Sequence, residues 1–146
     1  MRRKQQQLYK AIVTTLLLGA LSHLPLAAAD DYRVSPKILK IQDNVVRVIK
    51  DYSVDSSLGL IQMLAPIGWT EPVVSLDLEL RGIVISGTLG LEFKDGTHLY
   101  PADHGFLIPK NTRVRIFNAG DSPLHLVEVL SPAFDPSLST SFESFE

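Results

Sequence analysis

The chain has 146 residues, with 14 lysines and arginines, 16 aspartates and glutamates, and no cysteine. This length suits one domain, and the lack of cysteine excludes disulfide bonds and thiolate metal sites. Four of the basic residues and none of the acidic ones lie in residues 1–29, so the remainder carries a net charge of about −6. A mildly acidic surface argues against nucleic acid or an anionic membrane as a partner.

Residues 1–29 have the features of an export signal. A basic start precedes an apolar stretch over residues 11–21, and Ala27 and Ala29 form a small-x-small cleavage pattern. The apolar run is shorter than the roughly 20 residues that a spanning helix needs. We therefore expect secretory export, cleavage after Ala29, no stable membrane insertion after cleavage, and a periplasmic or secreted location. Retention of the segment as an anchor is the alternative.

After the signal, short apolar segments alternate with turn residues, which is typical of antiparallel strands. The predicted strands cover residues 38–41, 45–49, 58–64, 74–80, 83–93, 106–108, 113–117 and 124–130. Gly87 and Gly90 lie within the longest of these strands and indicate a bend or a bulge. The pattern predicts an all-β domain over residues 30–132. Residues 133–146 are rich in Ser and Pro and predict a flexible C-terminal tail.

Four short motifs follow one another in the second half of the chain: IVISG at 83–87, PAD at 101–103, FLIP at 106–109 and NAGD at 118–121. In the order and spacing of these motifs, residues 58–132 resemble the cupin family, whose members are small antiparallel β-barrels of the jelly-roll type. The resemblance implies a cupin-type β-barrel domain that follows the signal peptide. It also implies a homodimer formed by strand exchange or sheet-edge pairing, since open sheet edges need cover.

Cupins typically bind a divalent metal through two His separated by one residue, a Glu, and a further His. The resemblance places these four ligand positions on Val74, Leu76, Leu80 and Val114. Aliphatic side chains have no lone pair to donate, so we expect neither the usual metal site nor a cofactor. We expect these four residues to line a ligand pocket with Trp69, the only tryptophan, at the barrel mouth.

The weaker candidates for catalysis are five polar residues: Glu79, His98, Tyr100, His104 and His125. An acid–base pair such as Glu79 with His125 requires spatial proximity. A displaced metal site built on His98, His104 and a carboxylate is a further alternative. Surface histidines in turns are the ordinary interpretation of the same residues.

Taken together, these features predict an exported, metal-free cupin that acts as a small-molecule-binding or structural module. The alternatives are a cofactor-independent isomerase, epimerase or lyase on a small polar or sugar-like substrate, and a metalloenzyme with relocated ligands. An apolar barrel interior favours the first prediction, whereas converging His and Glu side chains favour an enzyme.

Overall fold

The computed structural model describes residues 33–42 and 46–146. In this part of the chain the secondary structure consists of strands and a short 3-10 helix, Pro136–Leu138. The strands are β1 (Lys37–Gln42), β2 (Val46–Asp51), β3 (Gly59–Ala65), β4 (Val73–Leu76), β5 (Glu79–Ser86), β6 (Thr88–Phe93), β7 (Gly96–Pro101), β8 (Gly105–Ile108), β9 (Arg113–Asn118), β10 (Leu124–Ser131) and β11 (Ser139–Phe142).

The strands form two antiparallel sheets that face each other. One has six strands in the order β1-β2-β3-β10-β5-β8, and the other has five in the order β11-β4-β9-β6-β7. Inward-facing side chains of both sheets form one hydrophobic cluster, which is the core. In β3, for example, Ile61, Met63 and Ala65 are buried, because a period of two places alternate residues on one face. The predicted all-β architecture is thereby confirmed.

Two of the predicted strands are in fact pairs of strands that belong to different sheets. Residues 74–80 divide at a bend over Asp77 and Leu78, and residues 83–93 divide at Gly87. Gly87 has a φ of 83°, and a Cβ there would lie 2.8 Å from the carbonyl oxygen of Pro123. Glycine is therefore needed at this corner both for its conformation and for its size.

Gly90 does not mark a bulge, contrary to one of the two interpretations of this position. It pairs in regular register with Leu99 of β7 and Phe117 of β9. A Cβ at Gly90 would collide with the ring of Phe117. The missing side chain therefore makes room for an aromatic ring that packs across the sheet.

Residues 133–146, predicted to be a flexible tail, contain ordered structure instead. Strand β11 pairs antiparallel with β4, and Asp135 caps the 3-10 helix by accepting a hydrogen bond from the Ser137 amide at 2.8 Å. The Arg113 guanidinium lies 3.9 Å from the centre of the Phe142 ring and donates to the Glu146 carbonyl at 2.8 Å. The composition of these residues did not indicate a strand, because backbone pairing to a sheet edge does not require an alternating pattern of hydrophobic residues.

The predicted signal peptide, residues 1–29, lies outside the described residues. Within the described ranges, no helix has the length and apolar character needed to cross a membrane.

Candidate ligand-binding cavity

A cavity of about 790 Å³ lies between the two sheets. Its apolar wall comes from β3, β4, β5 and β10 and includes Ile61, Met63, Val74, Leu76, Leu80 and Leu130. The C-terminal segment contributes Phe134, Ser139 and Ser141. The residues that the domain prediction treated as a separate tail thus form part of the cavity.

The four positions that the resemblance assigns to the metal ligands of cupins are buried. Val74, Leu76, Leu80 and Val114 are all buried, and Val74 pairs directly with Val114 across β4 and β9. The first three line the cavity, while Val114 packs in the core without lining it. These side chains offer no donor atom, so they do not fit the metal that the cupin fold usually carries.

Trp69 is buried and lines the same cavity. Its backbone carbonyl accepts a hydrogen bond from the Asn118 amide at 2.9 Å, which ties the segment before β4 to β9. Within the described chain, its indole Nε1 is a buried donor that lacks a hydrogen-bond partner. The Arg47 guanidinium lies 5.3 Å from the centre of the indole ring, within cation–π range.

Arg47 and Glu71 bring opposite charges into the cavity wall. Arg47 Nη2 lies 2.6 Å from Glu71 Oε1, and the two side chains are only 10% and 20% exposed. Arg47 belongs to β2, whereas Glu71 lies in the segment between Trp69 and β4. Removing either partner would leave a largely buried charge, so the two residues stabilise each other.

Glu128 is the third charged residue of the cavity wall and is 7% exposed. It lies in β10 opposite Ile61 and Gly82, on the same face as Leu126 and Leu130. Burial raises the pKa of Glu128 to about 7, an effect that the charge of Arg47 opposes and that of Glu71 reinforces. A group that titrates near neutral pH in a cavity is a candidate functional residue.

Three of the candidate catalytic residues lie on or beside β7, away from the cavity. His98 is exposed and packs its ring edge against Phe93, and it lines a separate, open depression of about 540 Å³. Tyr100 is half-buried and packs on the core. His104 is exposed, with Nδ1 at 3.1 Å from the Ala102 carbonyl oxygen.

The other two candidates, Glu79 and His125, are at opposite ends of a ladder. Glu79 pairs with Ser131 at one end of β10, and His125 pairs with Ser86 at the other. Six residues of strand separate them, which corresponds to about 20 Å, so the proposed acid–base pair is wrong. Glu79 binds Arg81 at 2.7 Å, and His125 Nε2 lies 2.7 Å from Gln62 Nε2.

A displaced metal site is likewise not assembled by the described residues. Among them, no three His, Asp or Glu side chains are grouped closely enough to hold a metal ion. None of the five candidate catalytic residues lines the described cavity, whereas Trp69, Val74, Leu76 and Leu80 do.

Arg47, Glu71 and Glu128 line the cavity but were not among the predicted site residues. A signal was present for Glu128, because it takes the place of an aliphatic residue in the alternation of Leu124, Leu126 and Leu130. A charged residue on the apolar face of a strand is rarely placed there without a partner or a role. No comparable pattern surrounds Arg47, and its approach to the cavity follows from the pairing of β2 with β3.

A jelly-roll barrel with an internal cavity defines the class of protein: the chain has the cupin fold. Solved structures agree. CapF from Staphylococcus aureus superposes with a TM-score of 0.59 at 17% identity, over 74% of this chain and 35% of that protein. The nucleoside dehydratase PAC13 from Streptomyces gives 0.61 at 15% identity, over 79% and 93% of the two chains. A sugar phosphate isomerase of the cupin superfamily from Silicibacter pomeroyi gives 0.53 at 16% identity, over 60% of each.

Sequence comparison adds one curated relative, and no known family profile matches the chain. The endoribonuclease YbeY of Myxococcus xanthus is 32% identical over 83 residues, which make up 57% of this chain and 28% of that protein. The chain therefore spans less than a third of that relative, and just over a third of CapF.

Proposed function

We propose that this protein is a cupin-fold barrel that binds a small molecule in its interior. The observation that carries the proposal is the cavity of about 790 Å³ with an apolar wall and a few charged groups. Ligand pockets typically enclose roughly 300–1,000 Å³ and combine apolar walls with a few polar groups.

Trp69 provides a direct test, because it is the only tryptophan and lines the cavity. Titration with benzyl alcohol, a small neutral probe, should produce a saturable change in Trp69 fluorescence. Leu80→Phe places extra volume in the cavity and should abolish this change. Leu107→Phe, at a position that is 48% exposed, should preserve it. Equal binding by wild type and Leu80→Phe would contradict the proposal.

A second candidate function is cofactor-independent isomerase, epimerase or lyase chemistry with Glu128 as the general acid or base. The specific support is a carboxyl group in the cavity that titrates near neutral pH, as proton transfer requires. The same fold also serves a nucleoside dehydratase and a sugar phosphate isomerase. The test is deuterium incorporation from D₂O into aldoses and ketoses, followed by NMR. Incorporation that is lost in Glu128→Gln would support catalysis, and none with wild type would oppose it.

We further propose that the barrel functions without a metal ion. The support is the set of four aliphatic side chains at the usual ligand positions, together with the absence of cysteine from the whole sequence. Elemental analysis of tag-free protein should give far less than one equivalent of iron, manganese, zinc, nickel or copper. If about one equivalent of metal is bound, and a chelator removes it together with thermal stability, the alternative of a metalloenzyme with relocated ligands would be supported instead.

Export through the secretory pathway remains part of the proposal and rests on the pattern of residues 1–29. The basic start, the apolar stretch and the Ala27-x-Ala29 pattern support cleavage after Ala29. Intact-mass measurement of the exported protein should identify Asp30 as the first residue. A full-length species in the membrane fraction would instead indicate a retained anchor.

A homodimer is the final part of the proposal. The six-stranded sheet presents apolar side chains on its outer face, and several are cross-strand neighbours, such as Leu60 with Val129 and Val127 with Ile83. Clustered exposed apolar residues mark interaction surfaces. The edge strands β1 and β7 are exposed as well, as the sequence-based proposal of edge pairing requires.

A further inference from the structure

Glu128 is a buried carboxylate without a close partner of its own. No hydrogen bond or ion pair joins it to another residue of the described ranges, although Arg47 and Glu71 act on it electrostatically. It is more than nine-tenths buried, and it lines the cavity. Buried charges in proteins are normally paired, because an unpaired one loses its hydration without compensation.

The neighbouring cations are already engaged with other carboxylates. Arg47 is 2.6 Å from Glu71 and also contacts the Trp69 ring. Arg115, which lines the cavity from β9, donates to Glu92 at 3.0 Å. Each guanidinium is thus matched by a carboxylate, and Glu128 is the additional acidic group.

The other strands packed around Glu128 bring no further charge to it. Its direct neighbours are Ile61 in β3 and Gly82 in β5, and the C-terminal segment contributes Ser139 and Ser141 to the cavity. Once Glu128 is ionised, the described wall of the cavity carries two guanidinium groups and two carboxylates. Both guanidinium groups form ion pairs with carboxylates other than Glu128, so the negative charge of Glu128 is not matched by an ion pair of its own.

We propose that the cavity binds a small organic cation, namely a protonated amine attached to an apolar body. This inference rests on the proposed small-molecule function. The ammonium group would donate hydrogen bonds to the Glu128 carboxylate, and charge-assisted bonds of this kind are among the strongest. The apolar body would pack on side chains such as Met63, Leu76 and Leu80. A carboxylate ligand is disfavoured, because Arg47 is already paired and Glu128 would repel it.

Three probes of similar size and different charge separate these possibilities: benzylamine, benzyl alcohol and benzoate. Calorimetric titration at pH 8 should show benzylamine binding at least tenfold more tightly than benzoate. Benzylamine should bind about tenfold more tightly at pH 8 than at pH 6, because it requires ionised Glu128, whose pKa is about 7. Benzyl alcohol should show no comparable dependence on pH.

Glu128→Gln removes the charge with little change in shape, and it should abolish both the preference for benzylamine and its dependence on pH. The matched control is Glu79→Gln on the outer face, where Glu79 binds Arg81, and it should behave as wild type. If Glu128→Gln does not fold, proton release by wild type on binding benzylamine provides the same information. Proton release is obtained from the heats of binding in two buffers of different ionisation enthalpy. At pH 6 it should approach one proton per benzylamine bound.

The outcomes distinguish this inference from the proposed function. Equal affinities for benzylamine and benzyl alcohol, or tighter binding of benzoate, would overturn the inference while leaving a binding barrel in place. If none of the three probes binds to wild type, both the inference and the proposed function fail.

Discussion

A carboxyl group held in an apolar cavity makes stability depend on pH in the opposite sense to most acidic residues. Acidic residues that accept hydrogen bonds in the folded protein, such as Asp135, have a lowered pKa and lose their contribution as the pH falls. The pKa of Glu128 is instead raised from 4.5 to about 7. The stability that protonated Glu128 gives the folded state is therefore fully present below pH 4.5 and is lost as the pH rises through about 7.

We expect Glu128→Gln to remove this dependence. A difference of that size between the folded and unfolded pKa corresponds to about 3 kcal/mol. Urea unfolding at a series of pH values should therefore show that the variant, equal to wild type near pH 4, is more stable by about 3 kcal/mol at pH 8.

The control for this measurement is Asp135, whose pKa is shifted in the opposite direction to that of Glu128. The pKa of Asp135 is lowered by hydrogen bonds from Ser137, so Asp135→Asn should differ from wild type in its pH dependence only below about pH 4. A constant difference between wild type and Glu128→Gln from pH 5 to pH 8 would show that Glu128 titrates like an exposed carboxylate.

For individual residues, the sequence predicted the apolar side chains of the cavity but not its charged ones. Val74, Leu76 and Leu80 follow an alternating pattern, and period two alone places them inside a barrel. Arg47 and Glu71 are far from Glu128 in the chain, and sheet pairing and a loop bring them near enough to influence its pKa. Their position depends on register and topology, and a single sequence does not determine these.

At the scale of strands, hydrophobic alternation indicated where the strands are but not where they change sheets. Leu78 lies at the bend between β4 and β5, yet it is as buried as Leu76 and Leu80 on either side. The alternation therefore continues through a corner that separates the two sheets. Gly87 indicated a change of sheet better than the alternation did, because a glycine within a strand often marks a bend and this one has a positive φ.

The C-terminal segment is the element whose role changed most between sequence and structure. Leu138 packs on the core, its carbonyl accepts a hydrogen bond from the Asp77 amide at 2.7 Å, and Phe142 lies under Arg113. These contacts connect the segment to the bend between the sheets and to β9. It is therefore expected to be part of the cooperative fold.

We expect deletion of residues 134–146 to lower the free energy of unfolding by about 2–4 kcal/mol. This magnitude combines the burial of Leu138 with the cation–π contact between Arg113 and Phe142. Urea unfolding provides the measurement. Hydrogen exchange of the full chain should also show slower exchange in β11 than in Phe134 and Asp135, because β11 pairs with β4.

Point variants separate a specific contact from a general effect of shortening the chain. Phe142→Ala should cost about 1 kcal/mol through the loss of its contact with Arg113. Glu143→Gln, at the adjacent exposed position, should be neutral. A deletion that changes stability by less than about 0.5 kcal/mol would restore the flexible tail that composition suggested.

Among the residues that the structure describes, several exposed apolar side chains lie on one face of the barrel. On the outer face of the six-stranded sheet, Leu60, Ile83, Ile85, Leu107 and Val129 are all exposed. Burial of such a surface between two copies would gain roughly 25 cal/mol for each Å² of apolar area removed from water. These apolar residues belong to several strands around the exposed Arg81, whereas β1 and β7 offer only the width of a strand, so we expect the face to dominate the association of two copies.

The homodimer can be tested on the chain from Asp30 onward by light scattering coupled to gel filtration. We expect twice the mass of one chain over a dilution series. Val129→Lys and Ile83→Lys place charges on the outer face and should convert the dimer to a monomer with unchanged circular dichroism, because a buried unpaired charge opposes association.

Leu39→Lys in the edge strand β1 distinguishes packing of the outer faces from edge pairing, since it should disrupt the dimer only if edges pair. Val54→Lys, at a loop position that is 82% exposed, is the matched control and should remain dimeric. A monomer at every concentration of the unmodified chain would refute the homodimer, and the apolar face would then be available to a different partner.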